Sequence, residues 1–155
     1  MTPIGDLLTP LAIRANLVVP NKKALFHQLA ALAAAAYQVD SEAVLDRLLE
    51  RERLGSTGFG NGIAIPHGKI EGLTKVIGVC VHLAQPIDFD AIDDLPIDVV
   101  FMLLSPVDGG AEHLKALATV SRAMRDQKLV AKIRGVASDD AMYALFGHIE
   151  HATAR

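Results

Sequence analysis

The stretch GSTGFGNGIAIPHGK, residues 55–69, joins a glycine-rich segment to a short apolar run that ends at a histidine. Glycine permits positive φ angles and a close approach of the backbone to a ligand or partner. Residues 63–65 predict a short buried strand, and Pro66 ends it because proline cannot donate a hydrogen bond to a neighbouring strand. His67 is therefore expected at a strand end, where Gly68 adds no side chain that would block access to its ring.

The composition of the whole chain limits the possible classes of function. With 155 residues, 51% of them hydrophobic, the chain is long enough to bury a core, and we expect one domain over residues 1–155. A net charge of −3 offers no basic surface for nucleic acid. The longest apolar runs, residues 30–37 and 99–104, are too short to cross a membrane, and no secretion signal is recognisable. A cytoplasmic protein without membrane insertion is expected.

Strands and helices interleave along the chain. Strands are predicted at residues 11–19, 76–83 and 98–104, the second of them ended by Gln85-Pro86. Helices are predicted from Asn21 onward and over residues 40–54, 111–125, 127–134 and 138–150. The connection between the last two strands is too short for a helix, so the fold class is α/β with a mixed sheet and helices on both faces.

Two local expectations concern one helix face and the single cysteine. In the helix over residues 111–125 we expect one face that is formed by Leu114, Leu117, Ala118 and Ser121. The single cysteine, Cys80, lies in an apolar strand and is expected to be a small buried residue.

The glycine-rich segment does not match the two common nucleotide-binding motifs. The pattern GxGxxG would begin at Gly58 and would require glycine at the position of Ile63. A P-loop requires Ser or Thr after Gly-Lys, whereas Ile70 follows Gly68 and Lys69. The sequence therefore predicts no nucleotide cofactor.

Six histidines are candidates for chemistry. His148 and His151 have the spacing of metal ligands but lie in a polar C-terminal segment, so we expect them to be solvated and predict no metal site. His27 on a helix and His82 at a strand end are expected to be packing residues. His113 lies in the first turn of a helix after a glycine-containing loop, a position that reaches the edge of a sheet. A functional and a structural role both stay open for it.

An accessible imidazole at His67 suits phosphoryl transfer, because an imidazole with a pKa of about 6.5 is largely unprotonated and nucleophilic at neutral pH. Such a carrier needs donors for the phosphoryl oxygens. Arg51, in the last turn of the preceding helix, offers a planar guanidinium, and His113 could be a second donor. Backbone N–H groups at residues 60–62 could add more. Phe59 belongs either to an apolar rim for a partner or to the core.

Residues 52–68 resemble the signature of the IIA proteins of the mannitol/fructose class of the bacterial phosphotransferase system (PTS), the EIIA type-2 family. The signature is an acidic or amide residue, six variable positions, an apolar residue and glycine, two variable positions, and apolar-Ala-apolar-Pro-His-Gly. Here it reads Glu52, then Phe59-Gly60, then IAIPHG at residues 63–68. The amino-acid sequence of residues 51–62, RERLGSTGFGNG, is most similar to the nitrogen-regulatory IIA branch.

The resemblance implies a three-layer α/β/α sandwich and a phosphotransferase-type carrier without metal or cofactor. It implies that His67 carries the phosphoryl group, supported by Arg51 sixteen residues earlier and by His113. The implied donor is a small HPr-like phosphocarrier, itself phosphorylated by an Enzyme I–type kinase from phosphoenolpyruvate.

Three functions follow from these residues. The first is a regulatory phosphocarrier whose phosphorylated and free forms bind target proteins differently. The second is a IIA transport subunit that passes phosphate to a IIB domain and then to a fructose- or mannitol-type sugar. The third is a binding module whose histidine is not phosphorylated.

Overall fold

The computed structural model describes residues 3–153, with side chains up to residue 147. Two short 3₁₀ turns, Ile4–Leu7 and Pro10–Ala12, open the chain. The strands are β1 Ile13–Leu17, β2 Gly58–Gly60, β3 Ile63–Ala64, β4 His67–Ile70, β5 Ile77–Ile87 and β6 Ile97–Pro106. The helices are α1 Lys22–Tyr37, α2 Ser41–Arg53, α3 Gly110–Met124, α4 Gln127–Gly135 and α5 Asp139–Thr153.

The six strands form one mixed sheet in the order β1-β5-β6-β3-β2, with β4 also paired to β6. The central pair β5–β6 is antiparallel, as the short connection predicts, and β1 runs parallel to β5. Both β3 and β4 run parallel to β6, β3 beside Val99 and Val100 and β4 beside residues 103–106. The two short strands thus extend one another along the same side of β6.

Helices cover both faces of the sheet, which confirms the predicted α/β/α sandwich. Because side chains alternate along a strand, β5 and β6 contribute to two separate cores. The core under α1 and α2 includes Leu25, Phe26, Leu29, Val44, Leu48, Val79, Val81, Val100 and Met102. The core under α3, α4 and α5 includes Ile63, Cys80, Val99, Phe101, Leu103, Val120, Ile133, Met142 and Phe146. Cys80 is fully buried there, as predicted.

The helix boundaries follow from side-chain capping. The Asn21 side chain accepts a hydrogen bond from the Ala24 N–H at 2.8 Å, so α1 begins where the sequence predicts. Asp40 caps α2 in the same way, and α2 ends before Gly55, whose φ of +148° is accessible mainly to glycine. These ends place the last turn of α2 directly before the glycine-rich segment.

The predicted break at Gln85-Pro86 is wrong, because β5 continues to Ile87. The pairing register with β6 shifts between His82 and Ile87, and Pro86 is exposed in this irregular part of the ladder. A proline is tolerated there because no regular ladder hydrogen bond is needed from it.

Two further expectations are corrected. Residues 58–60, expected in a loop, form β2, which pairs antiparallel with β3. The buried residues of α3 are His113, Ala116, Val120 and Met124, whereas Leu117 of the predicted face is only partly buried against the same core. Leu114 is 66% exposed, because the helix is rotated so that a histidine takes the position expected for an aliphatic residue.

Candidate functional site

Three elements bring the predicted site residues together. Arg51 lies in the last turn of α2, His67 is the first residue of β4, and His113 lies in the first turn of α3. The rings of His67 and His113 lie 5.5 Å apart between centroids and are tilted by 51°. Arg51 contacts His67 directly, with 3.2 Å between Nε of Arg51 and Nε2 of His67.

The hydrogen bonds of His67 determine its tautomer. The Nε–H of Arg51 can only donate, so Nε2 of His67 must accept and carries no proton. The proton is therefore on Nδ1, which donates to the carbonyl oxygen of Ile65 at 2.9 Å. This leaves the lone pair of Nε2 directed at the guanidinium of Arg51, which would have to turn aside for an electrophile to reach that nitrogen.

Burial lowers the pKa of His67 below its usual value, because the protonated ring loses solvation. The hydrogen bond to the Ile65 carbonyl acts against this effect, the charge of Arg51 lowers the pKa further, and the charge of Glu52 raises it. The net direction is downward, so the neutral, nucleophilic ring dominates at neutral pH.

Arg51 is held from its other side by the glycine-rich segment. Its Nη1 donates to the carbonyl oxygen of Gly55 at 3.0 Å. The side chain is half-buried, so its planar group has a defined place with part of its surface open. A fixed guanidinium beside a nucleophilic nitrogen suits the binding of phosphoryl oxygens.

His113 is anchored by a residue that the sequence reading missed. Its Nδ1 lies 2.5 Å from Oγ of Ser105, which is fully buried at the end of β6. His113 itself is 9% exposed. Burial lowers its pKa, and the positive charges of protonated His67 and of Lys69 lower it further. A signal for Ser105 was present in the sequence, since it is the one hydroxyl in β6 and directly follows the apolar run of residues 99–104.

Gly68 also allows close packing between two elements of the site. A Cβ built at this position would lie 3.2 Å from Cβ of Arg47, so β4 packs closely against α2 there. Glycine at residue 68 therefore allows the helix that carries Arg51 to approach the strand that carries His67.

His67 opens onto a recess of about 340 Å³ beside the sheet edge. Its lining combines cations, hydroxyls and apolar side chains: Arg51, Ser56, Thr57, Phe59, Ile65, Leu117, Ser121 and Arg125. Phe59 lines this recess and also packs against the core under α3 to α5, while its role as an apolar rim for a partner stays a prediction. Arg125 is a cation at the recess that the sequence reading missed.

The remaining histidines do not join this cluster. His27 is exposed on α1, and the Nδ1 of His82 pairs with the carbonyl oxygen of Ala15 at 2.9 Å. The side chains of His148 and His151 lie outside the described residues.

Within the part of the chain that the structure describes, no group of three His, Cys, Asp or Glu side chains is arranged to hold a metal ion. Among the same residues, no helix is long and apolar enough to cross a membrane.

Comparison with known proteins identifies the family. Residues 6–149 match the family model described as "Phosphoenolpyruvate-dependent sugar phosphotransferase system, EIIA 2". The chain belongs to the EIIA type-2 family of the PTS.

Relatives of this EIIA chain include two nitrogen regulatory proteins. One, from Bradyrhizobium diazoefficiens, is 46% identical over 143 residues, which are 92% of this chain and 94% of the relative. Another, from Escherichia coli K12, is 37% identical over 148 residues, 95% of this chain and 91% of the relative. Family membership and these relatives together support the nitrogen-regulatory branch that residues 51–62 indicate.

Solved structures share the EIIA fold. The crystal structure of nitrogen regulatory protein IIA-Ntr from Neisseria meningitidis has a TM-score of 0.86 at 31% identity, covering 94% of this chain and 99% of that one. IIA mannitol from Escherichia coli has a TM-score of 0.74 at 21% identity, covering 90% and 98%. The second likeness concerns the fold alone.

Proposed function

We propose that this EIIA protein is a nitrogen-regulatory phosphocarrier that accepts a phosphoryl group on Nε2 of His67 from an HPr-like donor. The observation that carries the proposal is the contact between Arg51 and His67. One hydrogen bond holds Nε2 unprotonated and places a guanidinium beside it, while the bond from Nδ1 to Ile65 orients the ring.

In the proposed reaction, Nε2 attacks the phosphorus of the donor's phosphohistidine. The bond from phosphorus to Nε2 forms as the bond to the donor's nitrogen breaks, and the donor imidazole leaves with the bonding electron pair. The ring of His67 gains positive character, which the Ile65 carbonyl stabilises by accepting the Nδ1–H. Arg51 turns its donors to the phosphoryl oxygens, and His113, whose ring lies 5.5 Å from that of His67, is close enough to assist.

Phosphorylation would change the charge of the recess. A protein phosphate carries roughly −1.5 to −2 charges at neutral pH. This is enough to reverse the local sign near Arg51 and Lys69, so target proteins in the cytoplasm would distinguish the two forms by charge. The names of the relatives support regulatory targets of this kind.

A second function, a transport subunit that passes phosphate to a IIB domain, is favoured by a different relative. The "PTS system fructose-specific EIIA component" of Haloferax volcanii is 43% identical over 103 residues, 66% of this chain and 67% of the relative. The description of the family model also names a sugar phosphotransferase system.

The acceptor is tested with Enzyme I, an HPr-like carrier and labelled phosphoenolpyruvate. We expect label that is labile in acid and stable in base, and we expect none in His67→Ala. Label that persists in His67→Ala would remove His67 as the acceptor, and an unlabelled wild-type protein would favour the pure binding module. Adding a IIB domain of the fructose or mannitol class then separates the other two functions, because only a transport subunit should pass the label on rapidly.

A further inference from the structure

Glu52 begins the family signature, yet the proposed reaction gives it no part. Its side chain is only 7% exposed and forms an ion pair with Nζ of Lys22 at 2.8 Å. Its two oxygens accept the Thr57 N–H at 3.1 and 3.2 Å, and one of them accepts the Thr57 hydroxyl at 2.5 Å. A buried carboxylate needs an ion pair and hydrogen bonds such as these, because its loss of solvation on folding costs free energy.

These bonds connect Glu52 to His67 through the backbone. Thr57, held by the carboxylate, accepts the Ile65 N–H on its carbonyl oxygen at 3.0 Å. The carbonyl oxygen of Ile65 in turn accepts the Nδ1–H of His67. The bond that orients the ring of His67 through Nδ1 is therefore made to a residue whose own position depends on Thr57.

A second branch leads from Glu52 to Arg51. The backbone carbonyl of Glu52 accepts the Gly55 N–H at 3.2 Å, and the Gly55 carbonyl accepts Nη1 of Arg51. Gly55 lies two residues before Thr57, so the loop that binds the Glu52 carboxylate also holds the guanidinium. Both partners in the Arg51–His67 contact thus depend on residues 55–57.

The same segment is anchored away from the site as well. Lys22, the ionic partner of Glu52, donates to the Phe89 carbonyl at 3.0 Å and lies 4.1 Å from the centre of the Phe89 ring. Ser56 also donates to that carbonyl, at 3.3 Å. The start of α1 and the connection after β5 therefore fix the Glu52 cluster from outside the recess.

Glu52 also acts through its charge. Its carboxylate raises the pKa of His67, opposing the effects of burial and of Arg51. A nearby negative charge favours positive character on the ring, which is the character that the ring gains when Nε2 is phosphorylated.

We propose that Glu52 is a positioning residue for phosphoryl transfer, which holds the 55–57 loop so that Arg51 and His67 stay in contact and stabilises the positive ring. The inference rests on the proposed function for its effect on transfer. Its effect on the imidazole does not depend on phosphorylation, so the two parts are measured separately.

The test compares Glu52→Gln with Glu50→Gln. Both replacements remove one negative charge from α2, but Glu50 is exposed and pairs with Arg47 at the surface. NMR titration of the ring nitrogens gives the pKa of His67, and transfer from a phosphorylated HPr-like carrier gives the rate. For Glu52→Gln we expect a lower pKa and transfer slower by about 10- to 100-fold, since small errors in position have effects of this size. Glu50→Gln should match the wild type in both.

Thr57→Val provides the second variant, which keeps the charge of Glu52 and removes one hydroxyl bond. We expect slower transfer with a smaller change in the pKa than in Glu52→Gln, so this variant keeps the inference testable if Glu52→Gln does not fold. A folded Glu52→Gln protein with the wild-type pKa, or with the wild-type rate, overturns the proposal. If the wild type accepts no phosphate, the proposed function fails, while the pKa comparison still decides whether Glu52 acts on His67.

Discussion

Replacement of Arg51 by alanine separates its chemical effect from its structural one. The variant loses two hydrogen bonds, from Nε to His67 at 3.2 Å and from Nη1 to Gly55 at 3.0 Å. Both acceptors lie where water can replace the donor, so the free energy of unfolding should fall by about 1 kcal/mol. In a chain of this size that is a decrease in Tm of about 2–4 °C.

The effect on phosphoryl transfer should be much larger. Removal of one preorganised donor from the developing charge of a transition state slows reactions by about 10²–10³-fold, or roughly 2.7–4 kcal/mol. Arg51 also lowers the pKa of His67, so the variant should have a higher pKa and more protonated ring near neutral pH. Measuring at pH ~8, where the ring is neutral in both proteins, removes that contribution from the comparison.

The assay is single-turnover transfer from a labelled HPr-like carrier, followed by rapid quenching in base. Arg53→Ala is the matched control, since Arg53 lies in the same helical turn and is exposed. Arg51→Lys keeps the charge without the planar fork and should give an intermediate rate. A folded Arg51→Ala protein that accepts phosphate within twofold of the wild-type rate would refute the role assigned to the guanidinium.

Three further predictions concern the surroundings of the site. The pKa of His67 and that of His113 are both lowered by burial, so the folded protein binds fewer protons than the unfolded chain as the pH falls from about 6.5 through the lowered values. Stability should therefore decrease on acidification through that window, and urea denaturation at a series of pH values should show a smaller decrease in His67→Ala; equal slopes would contradict the assignment. Ser105→Ala removes the partner of His113 and should slow transfer by about tenfold or less while His67 keeps its pKa in an NMR titration; a wild-type rate would make the Ser105 contact irrelevant to transfer. Gly62→Ala places a Cβ at a φ of +81° and 2.5 Å from Nη2 of Arg134, so chemical denaturation should show a loss of about 1–3 kcal/mol; an unchanged midpoint would exclude strain there.

The sequence predicted the architecture and two of the candidate side chains, Arg51 and His67, because both follow from short-range signals. Caps at Asn21 and Asp40 begin helices locally, and the short connection between β5 and β6 requires an antiparallel pair. The spacing between Arg51 and His67 is also local, since one helix end and one loop separate them. His113 depended on the family resemblance, because nothing near it in the chain indicates which strand end it reaches.

The missed features depend on contacts between distant segments. The rotation of α3 cannot be read from its own apolar residues, since His113 replaces an aliphatic side chain on the buried face. The continuation of β5 through Pro86 depends on a register shift against β6. The contact of Glu52 with Thr57 depends on how the loop folds back onto α2, and Lys22 reaches it from another helix. Periodicity reports which residues can face a core, while the sheet determines which of them do.

The division of the edge beside β6 into β3 and β4 has a consequence for signalling. The backbone is bonded to the central strand on both sides of Pro66, through β3 before it and through the Pro66 carbonyl and β4 after it. The backbone of His67 is therefore held in place by these hydrogen bonds, and a chemical group added to the ring should move it little. Under the proposed function, the signal that phosphorylation creates would be an electrostatic potential at a fixed point and not a new shape. Whether a partner recognises one form or the other then depends on the sign of the charge that it places opposite that point.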